Sequence, residues 1–149
     1  MKKQSEFLRR FTALALALCM LAALTAEIFA ADIRYSGYCG GEAGGKNLTW
    51  TLDSAGTLTI SGKGKMIDFA SMSTWGHYSW YKKEIPIRAV IIAPGVTTIG
   101  NYAFFREANL TDISIPDGII SIGDMAFEGC KKLEKISLPD SLTEIGQYA

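Results

Sequence analysis

The sequence predicts a mainly β solenoid of 23-residue coils, each with short strands plus a helical turn, preceded by an N-terminal β-hairpin cap. Two observations carry that prediction. Over residues 87–149 the apolar positions recur with a period of 23 and no gaps: Ile87, Leu110 and Leu133; Val90, Ile113 and Ile136; Ile92, Ile115 and Leu138; Val96, Ile119 and Leu142; Ile99, Ile122 and Ile145. A coil that short cannot bury its own apolar face, so neighbours must stack to share one core. Before the array, residues 47–61 alternate apolar and polar about Asp53-Ser54-Ala55-Gly56, which is the pattern of a hairpin with one apolar face.

At the N-terminus, Lys2, Lys3, Arg9 and Arg10 precede an uncharged apolar run from Phe11 to Ala26, and small residues lead on to Ala30-Ala31-Asp32. That three-part form is a secretory signal, with cleavage expected after Ala30 or Ala31. The alternative is a retained anchor, although the run is shorter than the roughly 20 apolar residues a spanning helix needs. Loss of residues 1–31 removes four of the 15 basic and two of the 15 acidic residues, leaving 11 against 13 and a net charge of −2. Such a chain lacks the basic patch or stripe that nucleic acid requires, and no nucleic-acid partner is expected. Contact with a membrane is expected only through the export signal.

Residues 32–46 contain five glycines and read as a flexible lead-in. They hold no phosphate-loop pattern, because Gly45-Lys46-Asn47 opens a strand and not a helix. Residues 47–86 form the hairpin and an aromatic cap. The hairpin's apolar face, Leu48, Trp50, Leu52, Leu58 and Ile60, needs cover, since two strands alone are marginal. It is expected to dock on the open N-terminal end of the solenoid. The aromatic loop that follows carries Phe69, Trp75, His77, Tyr78, Trp80 and Tyr81. A shift of 23 aligns Trp80-Tyr81 with Ala103-Phe104, so this segment reads as a degenerate first coil that caps the core. The functional alternative is an aromatic platform of Trp75, Tyr78 and Trp80 for sugar or peptide.

Within a coil, Leu110-x-x-Ile113-x-Ile115 and Leu133-x-x-Ile136-x-Leu138 predict a short strand with Ser114 and Ser137 on its other side. Pro116-Asp117 and Pro139-Asp140 end it, because proline cannot donate to a ladder. A second extended piece carries Ile119 and Ile122, or Leu142 and Ile145. Gly123 or Gly146 then turns the chain, and Asp124-Met125-Ala126-Phe127 predicts one helical turn capped by Asp124. Cys130 occupies a slot that Glu107 fills one coil earlier, and Cys39 and Cys130 are expected to stay unbridged.

The pattern L-x-x-I-x-[IL]-P-D-x-[IL]-x-x-I-G-x-x-A-F resembles the BspA-like leucine-rich repeat family of bacterial cell-surface and secreted proteins. The segment Ser36-Gly37-Tyr38-Cys39-Gly40, with Asn47 to Asp53 and Gly56 to Gly62, is also similar to the region that often precedes such arrays. The resemblance covers residues 36–149 and departs at Glu107, at Ala93-Pro94, and where the last unit is cut short. It implies a leucine-rich-repeat solenoid over residues 87–149, with a truncated C-terminal end, acting as a secreted or cell-surface interaction or adhesion module. The implied partner is a protein or glycan of a host cell, a neighbouring cell or the matrix.

The catalytic inventory points away from an enzyme. The one histidine, His77, lies in the aromatic loop, no serine stands in a Gly-x-Ser-x-Gly elbow, and no cofactor or metal site is expected. The binding surface is expected on the strand-bearing face, with outward Ile91, Ser114 and Ser137 and flanking Asp112, Glu134 and Lys135. The alternative is an N-terminal scaffold or targeting portion of a larger surface enzyme whose catalytic domain lies elsewhere.

About three repeats is the lower limit for a stable solenoid, and the apolar face of the last unit (Leu138, Leu142, Ile145) is expected to be exposed. The mature chain alone is therefore expected to self-associate through that coil or to be marginally stable. One added repeat should raise its melting temperature, as read by calorimetry. A cooperative, high-melting monomer would contradict this.

Overall fold

The computed structural model describes residues 32–69, 80 and 84–149. The signal expected over residues 1–31 lies outside them, as do Trp75, His77 and Tyr78. In chain order the strands are β1 (Ile33–Tyr38), β2 (Leu48–Asp53), β3 (Thr57–Gly62), β4 (Gly64–Lys65), β5 (Ala89–Ile92), β6 (Val96–Ile99), β7 (Asp112–Ser114), β8 (Ser121–Ile122) and β9 (Glu144–Ile145). Among the described residues they form two sheets, ordered β1-β2-β3-β5-β7 and β4-β6-β8-β9. The core fills the space between the inner faces of these sheets, from Leu48 and Trp50 at one end to Ile122 and Ala126 toward the other.

The hairpin forms where the alternation puts it. β2 and β3 are antiparallel, with Trp50 opposite Ile60 and Leu52 opposite Leu58. Its turn is held by Asp53, whose Oδ1 accepts from the N–H of Ala55 at 2.9 Å and of Thr57 at 2.8 Å, the usual way an Asp side chain shapes a turn. Its five apolar side chains are all buried. The hairpin docks as a strand neighbour: β3 runs parallel to β5, with Thr57 opposite Ala89 and Thr59 opposite Ile91.

The lead-in differs from expectation. Residues 33–38 are strand β1, antiparallel to β2, with Gly37 opposite Trp50. Cys39 is fully buried, and Gly40 sits where any Cβ would run into the Asn47 side chain. Asn47 ties the segment down, accepting from the Glu42 N–H and donating to the carbonyls of Lys63 and Lys65. Gly37 likewise leaves room for a ring, since a Cβ there would lie 2.8 Å from Trp50 Nε1. Glycine serves close approach here and not looseness.

The coils stack through backbone bonds that reach 22 residues ahead. Tyr102, Phe104, Arg106 and Met125 donate to the carbonyls of Asp124, Ala126, Glu128 and Gln147 at 2.7–2.9 Å. A polar ladder runs beside them. Asp68 Oδ1 accepts from the Asn101 N–H at 2.8 Å, Asn101 Oδ1 from the Asp124 N–H at 2.7 Å, and Asp124 Oδ1 from the Gln147 N–H at 2.7 Å. The helical turn expected at Asp124-Met125-Ala126-Phe127 is therefore absent. Met125 lies at φ 53°, and its counterparts Tyr102 and Tyr148 at 58° and 56°; the Tyr102 and Met125 N–H groups reach the next coil. Asp124 caps that coil and not a helix.

Two further differences concern the ends. Trp80, aligned by the 23-residue shift with Ala103, instead stacks on Phe104 at 5.5 Å, and Phe104 stacks on Phe127 at 5.3 Å. The aromatic column thus begins one residue earlier than the repeat register implies. At the other end, no ladder among the described residues joins β7 to the strand predicted around Ile136. With Ile136 38% and Leu138 46% exposed, that segment buries too little apolar surface to be held as a strand.

The Ile-Gly pair of each coil now has a cause. At Gly123 a Cβ would lie 2.5 Å from the Asn101 backbone N, and at Gly146 2.5 Å from the Asp124 backbone N. Because the obstruction is backbone within the ladder, it cannot swing aside. Gly123→Ala should cost about 3 kcal/mol, the upper part of the range for overpacking, measured as a drop in unfolding free energy in urea.

Candidate interaction surface

Period-two alternation fixes which side chains of the five-stranded sheet face outward. Val90 and Ile92 point into the core, so Ile91 points out and is 44% exposed. Parallel pairing of β5 with β7 sets Ile91 directly beside Ser114, and Ala89 beside Asp112. Ser114 and Ser137 are exposed, 23 residues apart on successive coils. The charged residues expected at the flank also come together. Asp112, Glu134 and Lys135 line one groove of about 370 Å³ with Thr111 and Lys132. Thr111 Oγ1 donates to the Arg88 carbonyl at 3.0 Å, and Lys132 Nζ to Asn109 Oδ1 at 3.1 Å. Those two side chains thereby build the groove's walls.

Of the aromatic residues named as a platform, Trp80 is 3% exposed and packed among Trp50, Phe69 and Phe104, so its ring faces the core. Trp75 and Tyr78 lie outside the described residues. Sequence reasoning missed the hairpin's share of the outward face. Thr51 and Thr59 continue the row of Ile91 and Ser114, because β2 and β3 belong to the same sheet. Their alternation was readable, but the parallel junction that joins the two rows was not.

An apolar cavity lies at the last coil, lined in part by Ile122, Phe127, Leu133, Ile136 and Leu138. Ile145 there is 56% exposed. Among the described residues no cluster of three or more His, Cys, Asp or Glu side chains could hold a metal ion, and no helix is long and apolar enough to cross a membrane.

Residues 73–149 match the family described as "BspA type Leucine rich repeat region (6 copies)". In fold the chain is similar to a leucine-rich repeat protein from Eubacterium ventriosum ATCC 27560, with a TM-score of 0.61 and 28% identity over 76% of this chain. It is also similar to the T. pallidum leucine rich repeat protein, with a TM-score of 0.46 and 22% identity over 72% of this chain. The chain spans 28% of the first protein's length and 54% of the second's. No curated protein matches it.

Away from the strand face, one slot between coils is chemically uneven. Glu107 sits, half-buried, where Cys130 sits one coil later. Burial pushes the Glu107 carboxyl up from 4.5 to about 7. The Cys130 thiol donates to the Phe104 carbonyl at 3.1 Å. Burial chiefly raises its pKa, to about 11, the charge of Glu107 adding to that and the Glu107 backbone hydrogen bond opposing it. Burial alone takes Cys39 to about 12. Both thiols are free and protonated near neutrality, which makes them poor nucleophiles.

A carboxyl whose pKa is raised on folding binds its proton more tightly in the native state than in the unfolded one. Its contribution is therefore unpenalised below the unfolded value near 4.5 and is lost as pH rises through about 7. The melting temperature should fall between about pH 5 and about pH 8, and Glu107→Gln should flatten that slope. Thermal melts followed by circular dichroism at both pH values check it; an unchanged slope in the variant would assign the dependence elsewhere.

Proposed function

Because the chain belongs to the BspA-type leucine-rich-repeat family, we propose that it is a secreted or cell-surface interaction module. Its partner is a protein or glycan of a host or neighbouring cell, held on the strand-bearing face. The observation that carries this reading is the in-register parallel pairing of β5 with β7. It sets Ile91 beside Ser114 and places the Asp112, Glu134 and Lys135 groove along the same edge. Repeated strands of this kind build a continuous surface from residues far apart in sequence, as solenoids commonly do.

The groove supplies both signs of charge and the outward row supplies hydroxyls and one exposed isoleucine. That mixture suits a partner read by hydrogen bonds over a small apolar seat. The export signal expected over residues 1–31 and the family's association with bacterial surfaces support a location outside the cell.

The test is an array of glycans and matrix proteins probed with the chain. Replacing Ser114, Lys135 and Ser137 together by alanine should weaken any ligand found by about tenfold or more, the loss expected for two or three hydrogen bonds. Binding that survives the triple replacement would remove the strand face from consideration.

A further inference from the structure

The outer face of the five-stranded sheet is wider than the repeats alone make it. The registers define one row across all five strands: Ser36, Thr51, Thr59, Ile91 and Ser114. A second row on the same face runs through Tyr38, Thr49 and Ser61. Neither row carries a charge, although Asp, Glu, Lys and Arg make up 20% of the chain. Protein surfaces usually hold about 25–35% of these residues, and their depletion from a surface patch marks the core of an interface. The nearest carboxylates, Asp53 and Asp112, stand in the next row over. Oδ1 of Asp53 is already engaged by the turn it shapes.

Hydroxyls on neighbouring strands recur at the inter-strand spacing of about 4.8 Å. Along the row they are interrupted once, by Ile91 at 44% exposure, and Tyr38 at 47% exposure stands on the outermost strand. A neutral array of donors and acceptors around small apolar seats matches a polymer with the same make-up. Sugar hydroxyls can pair with Ser and Thr hydroxyls while the C–H face of a ring rests on Ile91 or on the Tyr38 ring. An acidic polymer would find no cation in either row.

We infer that the N-terminal hairpin is part of the receptor face, and that its ligand is a neutral glycan chain laid across the sheet from β1 to β7. This rests on the strand-face reading given above and narrows it in chemistry and extent. The hairpin then has two tasks: it covers the first coil with Leu48, Trp50 and Leu52, and it presents Thr51 and Thr59 on the opposite side.

The experiment probes the full chain with neutral and acidic oligosaccharide sets at low and high salt. Thr51→Val/Thr59→Val is the key variant, because valine keeps the shape and the strand preference of threonine while removing both hydroxyls. Ser121→Ala on the second sheet is the control. Neutral-glycan binding that is insensitive to salt, weakened about tenfold in the double valine variant and unchanged in the control, supports the inference. Binding confined to acidic glycans, or to proteins and lost at high salt, overturns it. So does a double valine variant that binds within about twofold of the parent. If in that case the Ser114, Lys135 and Ser137 replacement still abolishes binding, the strand-face reading stands and only the hairpin's role fails. If neither set of replacements matters, both fail.

Discussion

The constraint on which this fold depends is that a 23-residue coil cannot satisfy its own backbone. Each turn leaves backbone groups pointing along the stack, and they pair with a neighbouring coil, as the Tyr102 N–H does on the Asp124 carbonyl ahead and the Gly123 N–H on the Ile99 carbonyl behind. An unpaired buried N–H costs about as much as a lost hydrogen bond, so spacing between coils has little freedom. The side-chain ladder of Asp68, Asn101 and Asp124 runs the other way, each carboxamide or carboxylate oxygen accepting from an N–H of the coil after it. Burial of the isoleucine and leucine positions supplies the driving force, but these polar bonds set the register in which burial occurs. Tyr102 and Met125 accept left-handed backbone for that reason. The strain of roughly 1–2 kcal/mol per residue is outweighed by the pairing it permits.

Much of this was legible because apolar spacing maps directly onto burial. Val90, Ile92, Ile99, Leu110 and Ile119 are core positions in the structure for the same reason they repeat in the sequence. The hairpin was legible because alternation about Asp53 and Gly56 has few other meanings. Strand β1 was not, because Gly37 and Gly40 look like looseness until Trp50 and Asn47 are seen to occupy the space a Cβ would take. The left-handed positions were hidden too, since tyrosine and methionine give no sign of positive φ. On the candidate surface, Ile91, Ser114 and Asp112 were readable from the repeat alone. Thr51 and Thr59 were not added to them, because no local pattern says that β3 runs parallel to β5.

That junction changes how the N-terminal segment is understood. A cap that merely covered the first coil would leave β5 as a sheet edge with unpaired backbone groups, and such edges invite pairing with other chains. Here β3 fills that edge and β1 becomes the outermost strand. Its register is broken between Ile33 and Tyr35, and an irregularity of that kind blunts an edge. The protective device and the extended outer face are consequences of one pairing.

The coil has one tight corner and one open corner. At Gly123 and Gly146 the preceding coil's backbone leaves no space for a side chain, whereas a Cβ at Gly118 would meet nothing within 4 Å. The position equivalent to Gly118 in the next coil is already a serine, Ser141, whose hydroxyl accepts from the Gly118 N–H and donates to the Ile119 carbonyl. The Pro-Asp corner of these two coils therefore has room that the Ile-Gly corner lacks, although one coil earlier a Cβ at Gly95 would lie 2.7 Å from the Gly62 carbonyl oxygen. Loops at that rim of the later coils can lengthen without disturbing the stack, whereas the first coil is held there by the hairpin's backbone.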